Sequence, residues 1–155
     1  MKPDNTQLDT MRPHSILESV LYSADLESSL WMFSEVLGFP VIRDMSSLGF
    51  GVRVDESHVL IVFDPRETDK PGRDVPSHGA RGPGHLAMQI RDADYDAWKQ
   101  RLSSFGVGIE QEIEWTQEWR FAPGRSIYFR DSYGNSLELI TSDIWGDGPF
   151  VPGSS

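Results

Sequence analysis

The sequence contains no cysteine, has no long apolar run and carries few basic residues. Without cysteine, the 155-residue chain cannot form disulfides, zinc fingers, iron–sulfur clusters or a thiol nucleophile. No segment approaches the roughly 18 apolar residues that a membrane span needs, and the polar start MKPDNTQLDTMRPHS lacks the apolar stretch of a secretory signal. Lys and Arg number 14 against 24 Asp and Glu, which leaves no basic stripe for nucleic acid. We therefore expect a cytoplasmic protein with no nucleic-acid or membrane partner.

The size and acidity of the chain set two further expectations. A chain of this length, 38% hydrophobic, fits one compact domain or two small modules that share a core. The net charge of −10 is explained by solubility, or alternatively by attraction of a cationic ligand.

Two segments of the chain share one pattern, about half the chain apart. Each has a short strand, an Asp and a helix that ends at a Gly. Glu18 precedes Asp25 by the same number of positions as His85 precedes Asp92. Asp25 is a suitable N-cap for the first helix, and Gly38 and Gly106 stand where a left-handed C-terminal residue belongs. The apolar stripe of each helix predicts core packing.

The strands that follow each helix complete a βαβββ pattern in each half, which predicts an α+β fold. They are predicted at residues 39–43, 49–54, 58–63, 108–115, 126–130 and 136–141. The turn at 131–135 contains Gly and Asn, which adopt positive φ most easily, and it indicates a hairpin.

The domain organisation follows from composition. A single domain is predicted over residues 15–145, and a stretch rich in Pro, Gly and charge inside it reads as an inter-module linker with neither helix nor strand. The predicted parts are a flexible N-terminus 1–14, module one 15–64, the linker 65–83, module two 84–145 and a loose tail 146–155.

Strand alternation places three ionisable residues on the side of each sheet that faces away from the helices. Helices are expected to cover the Leu, Met and Ile side of each sheet, so Glu18, His85 and Glu138 lie on the opposite side. One His and two carboxylates have the composition of a divalent-metal site. A hydrogen-bonded core His and exposed Glu residues are the alternative reading.

The repeat, together with the segments GPGHLAMQI and YFRDSYGNSLELIT, resembles the vicinal oxygen chelate superfamily of glyoxalases, fosfomycin and bleomycin resistance proteins and extradiol dioxygenases. The resemblance covers roughly residues 15 to 145. It implies two βαβββ modules that form a cupped mixed sheet, with helices on the convex side and a metal ion on the concave floor.

The resemblance assigns metal ligands to Glu18, His85 and Glu138, and catalytic roles to the two carboxylates. Glu18 departs from the pattern of the superfamily, in which His or Gln is commoner at this ligand position. Glu18 is alternatively a general base beside an ion that His85 and Glu138 hold. The fourth ligand position falls near Ile61, whose alkyl side chain cannot bind metal. The implied cofactor is one divalent ion, Mn, Fe, Ni, Mg or Zn, with positions open for a substrate that has adjacent oxygens.

Other residues are candidates for contact with a small-molecule substrate. Tyr128 and Arg130 alternate toward the site or its rim, Arg125 is a candidate anion contact, and Trp115 and Trp119 belong to a dense aromatic loop. That loop either lines the mouth of a pocket or serves as a core anchor or dimer contact. His14, His58 and His78 are expected to be solvated or locally bonded.

Three functions are compatible with these residues. The first is a metal-dependent lyase, isomerase or dioxygenase acting on a small vicinally oxygenated substrate. The second is a metal-free protein that sequesters a drug, as bleomycin resistance proteins do, and the third is a relative without catalysis. Swapped homodimers are frequent among similar proteins, so we expect a homodimer, with the site completed within one chain or across two.

Overall fold

The computed structural model of the protein describes residues 13–116 and 123–142. The first half and the connection after it contain the elements β1 (Glu18–Tyr22), α1 (Leu26–Trp31), β2 (Val41–Asp44), β3 (Gly49–Arg53), β4 (Val59–Phe63) and α2 (Pro65–Thr68). A π-helical segment, Met32–Val36, continues α1 directly. The second half contains β5 (His85–Gln89), α3 (Tyr95–Ser104), β6 (Gln111–Trp115), β7 (Gly124–Arg130) and β8 (Ser136–Ile140).

The two halves have the same topology. The strand orders are β1-β4-β3-β2 and β5-β8-β7-β6. In each sheet the first strand runs parallel to the last, and the other pairs are antiparallel. The two βαβββ modules predicted from the repeat are therefore confirmed, and within the described residues they form two four-stranded sheets. None of the helices there has both the length and the apolar character needed to cross a bilayer.

The ends of both helical regions follow the predicted capping residues. The carboxylate of Asp25 accepts a hydrogen bond from the Ser28 N–H at 3.1 Å, which satisfies one of the free donors at the start of α1. Gly38 has φ of 78° and Gly106 has φ of 72°, so both adopt the left-handed conformation that ends a helix.

One hydrophobic core joins the two modules. Its buried side chains come from both helical regions and from the inner faces of both sheets, and they include Phe33, Val36, Leu60, Leu102, Ile127, Phe129, Leu137 and Leu139. Trp31 and Phe105 meet edge to face at 6.0 Å, and the guanidinium Nε of Arg101 donates to the Val36 carbonyl at 2.6 Å. Since the helical sides of the modules pack on each other, each sheet leaves its other side open.

The connection between the modules is more ordered than its composition indicates. Asp64 caps α2 by accepting from the Arg66 N–H at 2.9 Å, and Pro65 occupies the first helical turn. The expectation that residues 65–83 contain no helix is thus wrong for their first turn. Further on, the His78 N–H donates to the Thr68 carbonyl at 3.1 Å, which folds the segment back onto module one.

Candidate functional site

The open face of module two carries the predicted ionisable residues of β5 and β8. Met88 of β5 is buried while His85 is exposed, as strand alternation requires. Since β8 lies between β5 and β7, Glu138 is flanked on both sides, with Ala87 as its partner on β5 and Tyr128 on β7.

His85 and Glu138 form a close pair. The imidazole Nε2 lies 3.3 Å from Oε2 of Glu138. The other ring nitrogen, Nδ1, lies 3.0 Å from the carbonyl oxygen of Ser136. A carbonyl only accepts, so Nδ1 must carry the hydrogen. In neutral His85 the Nε2 lone pair therefore points toward a carboxylate oxygen, and a proton between the two atoms or a bound metal ion would relieve their repulsion.

The arrangement of His85 fits metal ligation. Metal-binding histidines commonly donate their second N–H to a backbone carbonyl or carboxylate, which fixes the tautomer and turns the free lone pair toward the ion. Imidazole with carboxylate oxygen suits borderline and hard divalent ions. These two side chains could thus supply two ligands of a divalent cation.

Glu138 is held in place by its neighbours. It is only 5% exposed, and a buried carboxylate is costly unless it is hydrogen-bonded or paired. The Ser126 hydroxyl donates to its Oε1 at 2.5 Å. Burial, followed by the hydrogen bond to Glu138 and its charge, raises the pKa of Tyr128 to about 12, while the Ser126 hydroxyl acts in the opposite direction. Tyr128 therefore remains a neutral donor at physiological pH.

The Tyr128 ring also forms one wall of this face. It stacks beside the imidazole of His85, with ring centroids 6.3 Å apart and planes inclined by 21°. The imidazole is half-exposed, so it remains open to solvent on this face.

Glu18 lies on the corresponding face of module one and is exposed. Among the described residues, no group of three or more His, Cys, Asp or Glu side chains is placed to hold a metal ion. The structure thus brings His85 and Glu138 together in one chain but does not bring Glu18 to them. Ile61 lies on the same face as Glu18, two rungs along the β1–β4 ladder, and its side chain offers no ligand.

The predicted substrate contacts separate into different environments. Arg130, the last residue of β7, is paired with Glu110 at 2.7 Å and donates to the Gly134 carbonyl. Trp115 donates from its indole to the Ser126 hydroxyl at 2.7 Å. Trp119 lies outside the described residues.

Arg125 requires a correction, because the structure does not bring it to the site. Its guanidinium carbon lies 4.0 Å from the ring centroid of Tyr95 on α3, and it pairs with Asp92 at 2.8 Å. Strand alternation explains this: Ser126 is on the open side of β7, so the preceding residue points to the helical side.

Two features of the open faces were not predicted from the sequence. One is Ser126, which the alternation with Tyr128 would have placed on the same face as Glu138. The other is the contact of Tyr22 with His78, in which the phenol oxygen lies 2.7 Å from Nδ1. No sequence signal indicates this second contact, because it depends on how the connection folds back.

Comparisons with known proteins agree with this architecture. A sequence model of the Glyoxalase/Bleomycin resistance protein/Dioxygenase superfamily matches residues 14–139. This match spans most of the chain, and the chain belongs to that superfamily. No curated protein is significantly similar to it in sequence.

Solved structures with the same fold include enzymes of different activities. Lactoylglutathione lyase from Agrobacterium tumefaciens is 28% identical, with a TM-score of 0.78 over 87% of this chain and 98% of that one. The fosfomycin resistance protein FosX from Mesorhizobium loti is 19% identical, with a TM-score of 0.61 over 86% and 97%. A mutant FosX from Listeria monocytogenes, complexed with Mn(II) and 1S,2S-dihydroxypropylphosphonic acid, is 20% identical, with a TM-score of 0.63 over 86% and 94%.

Proposed function

We propose that the protein is a divalent-metal-dependent enzyme, a lyase, isomerase or dioxygenase that acts on a small vicinally oxygenated substrate. The observation that carries the proposal is the His85–Glu138 pair. Its imidazole is fixed by the Ser136 carbonyl with the Nε2 lone pair toward a carboxylate. A cavity that only sequestered a ligand would have no need of this arrangement.

The comparisons support the proposed class of protein, a metal-dependent enzyme, and not a particular reaction. The lactoylglutathione lyase is the most similar in sequence of the three structures described above, and a FosX protein is known with Mn(II). One divalent ion, Mn, Fe, Ni, Mg or Zn, is therefore the proposed cofactor. When bound, such an ion polarises a carbonyl or stabilises an enolate of a chelated substrate.

The third ligand in this proposal is Glu18 of a second copy of the chain. The helical sides of the two modules share one core, so their open faces turn away from it, and Glu18 does not reach the pair within its own chain. β1 and β5 are edge strands in their sheets. A homodimer that sets module one of each chain against module two of the other would bring Glu18 to His85 and Glu138.

The chain's own residues have distinct tasks in this site. His85 and Glu138 bind the ion, and Glu18 binds it or takes a proton from the substrate as a general base. Tyr128, kept neutral by its raised pKa, donates a hydrogen bond at the floor of the site. The apolar groups on the open face of module one, such as Ile61 and Phe63, exclude water from the same space.

The test is metal analysis of protein purified without chelator, with the variants His85→Ala and His58→Ala compared in parallel. His58 is a matched control because its Nε2 contacts the hydroxyl of Ser19 at 2.8 Å and has no carboxylate partner among the ion pairs of the described residues. We expect one metal equivalent per chain in the wild type and in His58→Ala, and loss of metal in His85→Ala. Trace metal that is the same in all three proteins would contradict the proposal.

A metal-free protein that sequesters a cationic drug is the second candidate function. The observation that favours it is the net charge of −10, which attracts cations to the surface. Tight binding of a cationic glycopeptide to metal-free protein, unchanged in His85→Ala, would support it.

A further inference from the structure

Glu138 presents its two carboxylate oxygens to different side chains, and it also shares a hydrogen bond with the hydroxyl of Tyr128. Oε1 accepts the hydroxyl hydrogen of Ser126 at 2.5 Å, whereas Oε2 faces Nε2 of His85 at 3.3 Å. Ser126 is completely buried, so water does not compete for its hydroxyl. A short bond from a hydroxyl to a charged oxygen is among the stronger hydrogen bonds in proteins.

The direction of the Ser126 hydroxyl is set by Trp115. The indole N–H of Trp115 lies 2.7 Å from the Ser126 oxygen. Indole nitrogen only donates, so the Ser126 oxygen is the acceptor of that bond. Its single hydrogen is then directed to Glu138. The three side chains form a relay: Trp115 donates to Ser126, and Ser126 donates to Glu138.

We propose that Ser126 and Trp115 are positioning residues that hold Oε1 of Glu138 and leave only Oε2 for the metal ion. The inference rests on the proposed function, since it assumes that His85 and Glu138 bind an ion. It assigns the two residues a task that is separate from substrate contact, because both act through Glu138.

A carboxylate restricted to one oxygen affects which ions the site prefers. Ca²⁺ takes six to eight oxygen ligands in flexible geometry and accepts bidentate carboxylates. Mn²⁺ is bound in octahedral geometry, which requires fewer ligand atoms than the eight that Ca²⁺ can take. By keeping Oε1 occupied, the relay would favour Mn²⁺ over Ca²⁺. Without it, Glu138 could turn both oxygens to the ion, and this preference would weaken.

The experiment measures Mn²⁺ and Ca²⁺ dissociation constants by calorimetry for the full-length wild type, Ser126→Ala, Trp115→Phe and the double variant. Loss of a group that orients a ligand typically costs 10–100-fold in metal affinity. We expect Ser126→Ala to weaken Mn²⁺ binding by about tenfold and Ca²⁺ binding less, so that the Mn²⁺/Ca²⁺ preference falls. Trp115→Phe should have a smaller effect in the same direction.

The double variant distinguishes a relay from two separate effects. If Trp115 acts only through Ser126, the double variant should bind Mn²⁺ as Ser126→Ala does, because changes within one network are not additive. Independent, multiplying effects would overturn the relay. So would an unchanged Mn²⁺/Ca²⁺ preference in Ser126→Ala, which would indicate a purely structural role.

Ser29→Ala is the matched control, since Ser29 is equally buried but lies on α1. Its metal binding should equal that of the wild type. If Ser126→Ala does not fold, Trp115→Phe decides, because it retains the serine, and an unchanged ion preference there would overturn the inference. Wild-type protein that binds none of Mn²⁺, Fe²⁺, Ni²⁺, Mg²⁺ and Zn²⁺ would instead overturn the proposed function itself, and the relay with it.

Discussion

The side-chain amide of Asn135, in the turn before β8, donates to the backbone carbonyl of Tyr22 at the end of β1, at 3.1 Å. The same amide also donates to Asp131 at 2.8 Å, and its oxygen accepts from the Gly84 N–H at 2.7 Å. Asn135 is 1% exposed. One buried side chain thus links the last turn of the sheet, the start of β5 and the other module.

Replacing Asn135 by Ala should therefore cost far more than the loss of one contact. The change leaves several buried polar groups without a partner, and each such group costs about 1–3 kcal/mol. We expect the free energy of unfolding, measured by denaturant titration, to fall by at least ~3 kcal/mol. Ser132→Ala, in the exposed part of the same turn, is the control and should have little effect. Equal stability of the two variants would refute the linking role of Asn135.

Two buried serines of module one should respond oppositely to truncation. The Ser29 hydroxyl has no hydrogen-bond partner among the described residues, whereas the Ser23 hydroxyl exchanges hydrogen bonds with the backbone of Asp25 at 3.1 Å. Both side chains are completely buried. Because an unpaired buried polar group is unfavourable, Ser29→Ala should leave stability unchanged or raise it by ~1 kcal/mol. Ser23→Ala should lower it by a similar amount.

The stabilities of Ser29→Ala and Ser23→Ala can be compared by monitoring the thermal unfolding of each variant with circular dichroism. A melting temperature of Ser29→Ala well below that of the wild type would show that its hydroxyl has a partner that stabilises the fold.

Much of the fold could be predicted from the sequence because its signals are local. Capping by Asp25 and the glycines after the helices depend on neighbouring residues only. Strand alternation placed His85 and Glu138 on the same side of one sheet for the same reason. The same rule, applied to β7, would have selected Ser126 instead of Arg125 as a residue of the open face.

Other features could not be predicted because they depend on the path of the chain. The distance of Glu18 from His85 depends on how the connection between modules runs, and strand patterns carry no information about this. The helical turn that begins that connection did have a signal, since Asp64 followed by Pro65 is a typical helix start. The sequence did not indicate this helix clearly because it is only one turn long and lies in a stretch rich in Pro and Gly.

β3 approaches β4 so closely at Gly49 that we expect a side chain at this position to clash with the backbone of β4. A Cβ atom there would meet the Val62 carbonyl oxygen at 2.1 Å, and the φ of 153° is one that L side chains rarely adopt. Gly49→Ala should therefore give protein that is unfolded or destabilised beyond the ~1 kcal/mol of an ordinary glycine change. Gly72→Ala is the control: it has a φ of +77° but no atom within 4 Å of its Cβ position. Similar denaturation midpoints for the two variants would contradict the backbone clash.

Two tyrosines should ionise late. Burial is the main cause that raises the pKa values of Tyr128 and Tyr95 to about 12, with Glu138 and Glu112 respectively contributing further. Because both values exceed the ordinary 10.0, the neutral phenols stabilise the fold fully below about pH 10. This contribution is lost as the pH rises toward about 12. Stability should therefore decrease over this alkaline range.

Ultraviolet titration of phenolate absorbance tests the assignment. Tyr128→Phe and Tyr95→Phe should each remove part of the late-ionising signal. A late signal that is unchanged in Tyr128→Phe would place its hydroxyl in a more exposed setting than the site described here.

Mixed dimers test whether the metal site crosses between two chains. In the proposed homodimer each site takes Glu18 from one chain and His85 with Glu138 from the other. Neither Glu18→Ala nor His85→Ala alone should hold the ion with wild-type affinity. A heterodimer of the two variants retains one intact site, formed by Glu18 of the His85→Ala chain and His85 of the Glu18→Ala chain. Co-expression with two different affinity tags yields this heterodimer.

The expected Mn²⁺ stoichiometry of the heterodimer is one tight site per dimer, half that of the wild type. Its melting temperature should rise when Mn²⁺ is added, because an ion that binds only the folded state stabilises it. Neither homodimeric variant should show such a rise at the same Mn²⁺ concentration. If each site were completed within one chain, every chain of the heterodimer would carry a damaged site, and tight binding would be lost. A heterodimer no better than its parents would thus exclude the shared site.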